Sequence, residues 1–89
     1  MVLVQLFATY RDIAGTKEMR LGAASVCGVL ASLRESVPAL YAELCTPDGT
    51  PRPLVRVLVN GRHIEFLSGL ETPVGEKDTI ALFPPLAGG

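Results

Sequence analysis

An α+β fold, one main helix covering one face of a sheet, is predicted by three observations. Residues 2–10, VLVQLFATY, alternate with a period of two. Residues 26–36 carry apolar side chains at helical spacing, and Asn60-Gly61 joins two further β-rich runs.

In the first run, Val2, Val4, Leu6, Ala8 and Tyr10 share one face, and Leu3, Gln5, Phe7 and Thr9 the other. This pattern predicts a half-buried strand over 2–10. Turn residues from Arg11 to Thr16 follow, and Lys17 to Leu21 resumes a short alternation that reads as the strand's hairpin partner. From Ser25 the period changes. Val26, Val29, Leu30, Leu33 and Val37 fall on one helical stripe, Ser25 can cap the first turn, and Pro38 interrupts the helix at about residue 36.

Ala39 to Cys45 can hold a second short helical turn, and the Pro/Gly-rich stretch 46–53 reads as a surface loop. Leu54 to Val59 is rich in β-branched residues, which suit a pleated surface. Asn60 and Gly61 both tolerate positive φ, so Arg62 to Phe66 is expected to return antiparallel. The final strand carries Ile80 and Leu82 on one face and Ala81 and Phe83 on the other. One helix covers only one side of such a sheet. The face holding Phe7 and Phe83 is therefore expected to stay partly open, as a surface for a partner.

At 89 residues the chain is long enough for a single core, and 48% hydrophobic against 19% charged residues excludes a disordered polar chain. A formal net charge of -1 gives no global attraction to phosphate backbones or anionic lipid, so neither nucleic acid nor membrane is an expected partner. The N-terminus lacks a basic flank and a cleavage site, and no apolar run reaches bilayer length, which predicts a cytoplasmic protein. Cys27 and Cys45 lack CxxC spacing and are expected to be small apolar fillers. His63 is the sole histidine, so no metal site is predicted. No Cys-His pair, carboxylate pair or Gly-rich phosphate loop appears, which argues against a free-standing enzyme and assigns no catalytic residue.

The end of the chain, Pro84-Pro85-Leu86-Ala87-Gly88-Gly89, is the most unusual stretch. Proline lacks an N–H and fixes φ, so Pro84-Pro85 ends the ladder and sends the chain outward along a stiff path. The four residues after it extend at most roughly 13 Å, enough to enter a cleft on another protein. Gly88 and Gly89, without Cβ atoms, can thread a passage as narrow as the backbone and leave the terminal carbonyl open to attack. The domain is accordingly divided into a body, residues 1–85, and a tail, residues 86–89.

Three stretches together resemble the MoaD/ThiS family of ubiquitin-like sulfur carriers: "VQLFATYRDIAG", "VRVLVNGRHIEFL" and "DTIALFPPLAGG". The Phe-Pro-Pro lead-in tilts the resemblance toward the small subunit of molybdopterin synthase rather than the shorter thiamine-pathway carriers. Archaeal protein modifiers share the same ending. The resemblance implies a β-grasp fold, a mixed sheet of about five strands on one main helix. It implies that an ATP-dependent adenylating enzyme, like those that activate ubiquitin, adenylates Gly89, which a sulfur donor converts to a thiocarboxylate. The sulfur would then pass to a pterin precursor in molybdenum cofactor biosynthesis. No cofactor is expected to be held stably, since ATP belongs to the activating enzyme.

By the same resemblance Phe83, Pro84, Pro85, Leu86, Ala87 and Gly88 occupy a channel in the large subunit, and Phe7 and Arg11 face the partner. His63 departs from the pattern: it stands in the hairpin where molybdopterin-type carriers often expose an apolar residue. The alternatives are a ubiquitin-like modifier forming isopeptides with lysines, or a carrier for thiamine, tRNA thiolation or a tungsten cofactor.

Overall fold

The structure, a computed structural model, describes residues 1–85. Strands β1 (Val2–Leu6), β2 (Glu18–Leu21), β3 (Arg56–Val59), β4 (Arg62–His63) and β5 (Thr79–Phe83) form one sheet in the order β2-β1-β5-β3-β4. Helices α1 (Thr9–Ala14), α2 (Val26–Ser36) and α3 (Pro38–Leu44) interrupt them, with 3₁₀ turns at Ile64–Phe66 and Gly69–Glu71. β1 and β5 run parallel, with Val4 opposite Ile80 and Leu6 opposite Leu82, and the other pairings are antiparallel. The last strand in sequence is thus the central one, hydrogen-bonded along both edges. This is the mixed five-stranded sheet on one main helix that the resemblance implies.

Alternation sets the core. Val2, Val4, Leu6, Ile80 and Leu82 are at most 1% exposed and meet Val26, Val29, Leu30 and Leu33 of α2. Burying each such side chain contributes about 1.5–3 kcal/mol. The Ser25 hydroxyl caps α2 by accepting from the Gly28 N–H at 3.1 Å. Pro38 opens α3 in the first turn, where its missing N–H forfeits no helical bond. Leu40 and Leu44 of α3 extend the same core.

The strand expected over 2–10 stops at Leu6. Ala8 adopts φ 53° and ψ -129°, the Tyr10 N–H donates to the Phe7 carbonyl at 3.2 Å, and the chain turns into α1. Tyr10 does point inward, at 2% exposure, but from a helix; apolar burial at residue 10 mimicked one more step of strand alternation. Gly15, at φ 74°, closes α1 by donating its N–H to the Arg11 carbonyl. The segment 11–16 is therefore mostly helix rather than a hairpin turn.

Two further boundaries are shorter than the pattern predicts. β3 begins at Arg56 because Val55 N–H donates to the Arg52 carbonyl, a turn across Pro53-Leu54 that leaves Leu54 outward. β4 holds only Arg62 and His63, since Ile64 swings into the core through a 3₁₀ turn. The Asn60-Gly61 turn itself is present, with φ of 52° and 86°. Cys45 is buried, as expected of a filler, but Cys27 is exposed: it sits on the solvent side of α2's first turn.

Candidate functional site

β5 delivers the chain to the rim of the sheet's uncovered face. Phe83, its last residue, lies opposite Arg56 of β3, and Pro84 and Pro85 follow outside the ladder. The start of β5 is clamped at the far end. Asn60 Nδ2 donates to Asp78 Oδ1 at 2.8 Å, the Thr79 N–H donates to Asn60 Oδ1 at 3.0 Å, and the Gly75 N–H donates to Asp78 Oδ2 at 2.8 Å. The hairpin asparagine therefore fixes the strand that carries the tail, a role its turn chemistry alone does not reveal.

On the uncovered face the Phe7 and Phe83 rings stack, centroids 4.2 Å apart and planes 12° from parallel. The pair follows from the parallel register, which places Leu6 beside Leu82 and so brings the next residues together. Such a stack contributes about 0.5–1.5 kcal/mol and stiffens the root of the tail.

Next to Phe83 lies a groove of about 1010 Å³ between the loop 50–56, the turn 63–66 and the start of the tail, with Pro84 and Pro85 in its wall. Leu54 and Phe66 flank it, 72% and 79% exposed. Arg52, Arg56 and His63 line it against one acid, Glu65. Arg52 is held in place, its Nε–H donating to the Ala42 carbonyl at 3.0 Å. The His63 Nδ1 accepts from the Glu65 N–H at 3.1 Å, capping the 3₁₀ turn that carries Phe66.

Phe7, Phe83, Pro84, Pro85 and His63 thus gather around the tail root. Arg11 does not join them: it stands exposed on α1 and lines a separate shallow depression with Asp12 and Lys17. Leu86, Ala87, Gly88 and Gly89 lie outside the described residues. Leu54, Phe66 and the arginine pair are additions that sequence reasoning missed. Their one signal was bulky apolar residues beside turn-forming stretches, where no strand or helix period would bury them.

The perturbed groups lie elsewhere. Burial, then the Glu43 charge, pushes the Tyr10 phenol up to about 12, and burial raises the Cys45 thiol. The exposed Asp48 carboxyl is lowered by hydrogen bonds from the Thr46 hydroxyl and the Thr50 N–H. Among the described residues no cluster of three His, Cys, Asp or Glu could hold a metal, and no helix is long and apolar enough to cross a membrane. The surface is built to present a chain end beside a docking face.

A family model, that of the ThiS family, matches residues 4–89. The chain belongs to the ThiS family. Small archaeal modifier protein 3 of Haloferax volcanii is 37% identical to it over 97% of this chain and 96% of that protein. The solution structure of small archaeal modifier protein 1 from Methanosarcina acetivorans matches with a TM-score of 0.87 and 38% identity, covering 99% of this chain and 95% of that one. A chain of the crystal structure of the Amycolatopsis orientalis BexX/CysO complex matches with a TM-score of 0.88 and 26% identity over 100% of both. This member of the ThiS family has the β-grasp, ubiquitin-like fold and is a ubiquitin-like sulfur carrier or modifier protein.

Proposed function

We propose that this protein carries sulfur on its own C-terminus and is not a catalyst by itself. A separate adenylating enzyme would let a Gly89 carboxylate oxygen attack the α-phosphorus of ATP, releasing pyrophosphate. A hydrosulfide equivalent from a donor would then attack the carbonyl carbon, breaking the C–O bond to AMP and leaving a thiocarboxylate. Activation is needed because a carboxylate is a poor electrophile until its oxygen becomes a good leaving group. The observation that carries this reading is the mounting of the tail. A diglycine end follows two prolines on the central strand, with its root braced by the Phe7–Phe83 stack.

For the recipient we propose a pterin precursor, the chain acting as the small subunit of molybdopterin synthase in the cytoplasm. The Phe83-Pro84-Pro85 lead-in supports it. Incubation with ATP, an adenylating enzyme and a sulfur donor is expected to replace one terminal oxygen by sulfur, read by intact mass, and deleting Gly89 should abolish the change. No acyl-adenylate at Gly89 under those conditions would overturn the proposal.

A second reading is favoured by the relatives at 37% and 38% identity, both of which carry the name small archaeal modifier protein. In it the same activated carbonyl is attacked by a target lysine, giving an isopeptide. Reductant-resistant ladders without thiocarboxylate would select this second reading. Sulfur transfer to the pterin precursor in the presence of a large subunit would select the first.

A further inference from the structure

We propose that the groove beside the tail root is a docking site for a partner protein segment that sets bulky apolar side chains among Asp or Glu residues. This goes beyond the chemistry of Gly89 and does not depend on it. Exposed large hydrophobics are few on this molecule, and the two most exposed, Leu54 and Phe66, both flank this one groove. Apolar surface left out in pairs around a concavity marks a contact site, whereas isolated exposed side chains do not.

Charge selects the partner's composition. The protein carries a net charge of -1, yet the groove is lined by Arg52 and Arg56 against Glu65 alone. Among the described residues the only ion pair joins the Met1 amino group to Glu76, so the groove arginines face it without a carboxylate partner there. Carboxylates on an incoming segment would fill that role and steer its approach.

Two other occupants fit less well. The four residues after Pro85 bring one bulky apolar side chain, Leu86, and one carboxylate, too little to cover both Leu54 and Phe66. A second copy seated across a two-fold axis would press Arg52 and Arg56 toward their own counterparts, and like charges oppose such a contact. A partner presenting several apolar and acidic side chains meets both demands. Seated there it would also touch Pro84 and Pro85, which line the same groove, and so hold the tail root at a defined angle.

The test is an NMR titration of the isotope-labelled full-length protein with an end-blocked octapeptide alternating Glu and Leu, and with its Lys/Leu counterpart. The Glu/Leu peptide is expected to shift the amide signals of Val55, Arg56, Glu65, Phe66 and Leu70, and added salt should weaken it. Phe66→Ala and Arg56→Glu should each weaken it by about tenfold. Both residues are exposed, so neither change threatens the fold. An equal response to the Lys/Leu peptide, no response to the Glu/Leu peptide, or shifts elsewhere would overturn the proposal. Groove signals that move with protein concentration alone would assign it to a second copy, and signals that move on deleting residues 86–89 would assign it to the tail. Either result also overturns it.

Discussion

Along β5 the side chains alternate between two environments. Ile80 and Leu82 are 0% exposed beneath α2, whereas Thr79, Ala81 and Phe83 stand half-buried on the face that no helix of the described structure covers. The same strand therefore serves two ends: one side is held by packing, and the other holds a surface and a chain end. The largest effect that separates them is a pair of truncations. Leu82→Ala removes buried methyl groups from a closed core and is expected to cost about 3 kcal/mol, a large part of the stability of a domain this size. Phe83→Ala loses one stacked, half-buried ring and should cost about 1 kcal/mol. Urea denaturation of both variants measures the difference. Equal losses would mean that the uncovered face is as structural as the core, and the contrast would fail.

Tyr10 breaks the contrast from within, because it is a polar group on the core side. Its hydroxyl is buried and has no hydrogen-bond partner among the described residues. A buried hydroxyl left unpaired is unfavourable by about 1–3 kcal/mol, so Tyr10→Phe is expected to stabilise the protein by about 1 kcal/mol at neutral pH. A second signature follows from its titration. The phenol is raised from 10.0 to about 12, so below pH 10 both folded and unfolded chains hold the proton. Between 10 and about 12 the unfolded chain releases it first, and stability falls as pH rises. Burial of the Cys45 thiol adds a loss of the same sign, from above its ordinary value of 9.0. Denaturation midpoints across the alkaline range should therefore fall less steeply in Tyr10→Phe, with the Cys45 contribution remaining.

The contrast also explains what could be read from the residues. β1, α2 and β5 were legible because each buries one face against a large core, and burial imposes a period of 2 or 3.6 on the side chains. The segments that failed obey local geometry instead. Ile64 looks like a strand residue, but it reaches the core from a 3₁₀ turn capped by an imidazole. Leu54 looks like the first strand residue, yet a turn at Pro53 leaves it in solvent. For the site, the face shared by Phe7 and Phe83 was visible as alternation, while the groove was not. Its walls come from residues 50–56, 63–66 and 83–85, three stretches that only the tertiary fold brings together. His63 shows the limit most clearly. Its place in the hairpin was evident, whereas its hydrogen bond to the Glu65 N–H depends on a backbone turn that the residue types do not encode.

Ala8 is the joint between the two regimes, and it yields the smallest effect. With φ 53° and ψ -129° it occupies the first central position of a turn closed by the Tyr10 N–H and the Phe7 carbonyl, the conformation of a type II′ turn, where glycine is favoured. An L-residue there stores about 1–2 kcal/mol of backbone strain. On one side of this turn Phe7 points to the uncovered face and stacks on Phe83; on the other Tyr10 enters the core. Packing on both faces thus holds a conformation that alanine resists. Ala8→Gly removes the strain but gives the unfolded chain about 0.4–1 kcal/mol of extra conformational entropy. The strain is the larger of the two, so the variant should gain about 0.5 kcal/mol, read as a small rise in melting temperature with the Phe7–Phe83 ring contact retained by NMR. A fall in melting temperature would show instead that the turn is relaxed with alanine in place, and that the two faces do not hold it under tension.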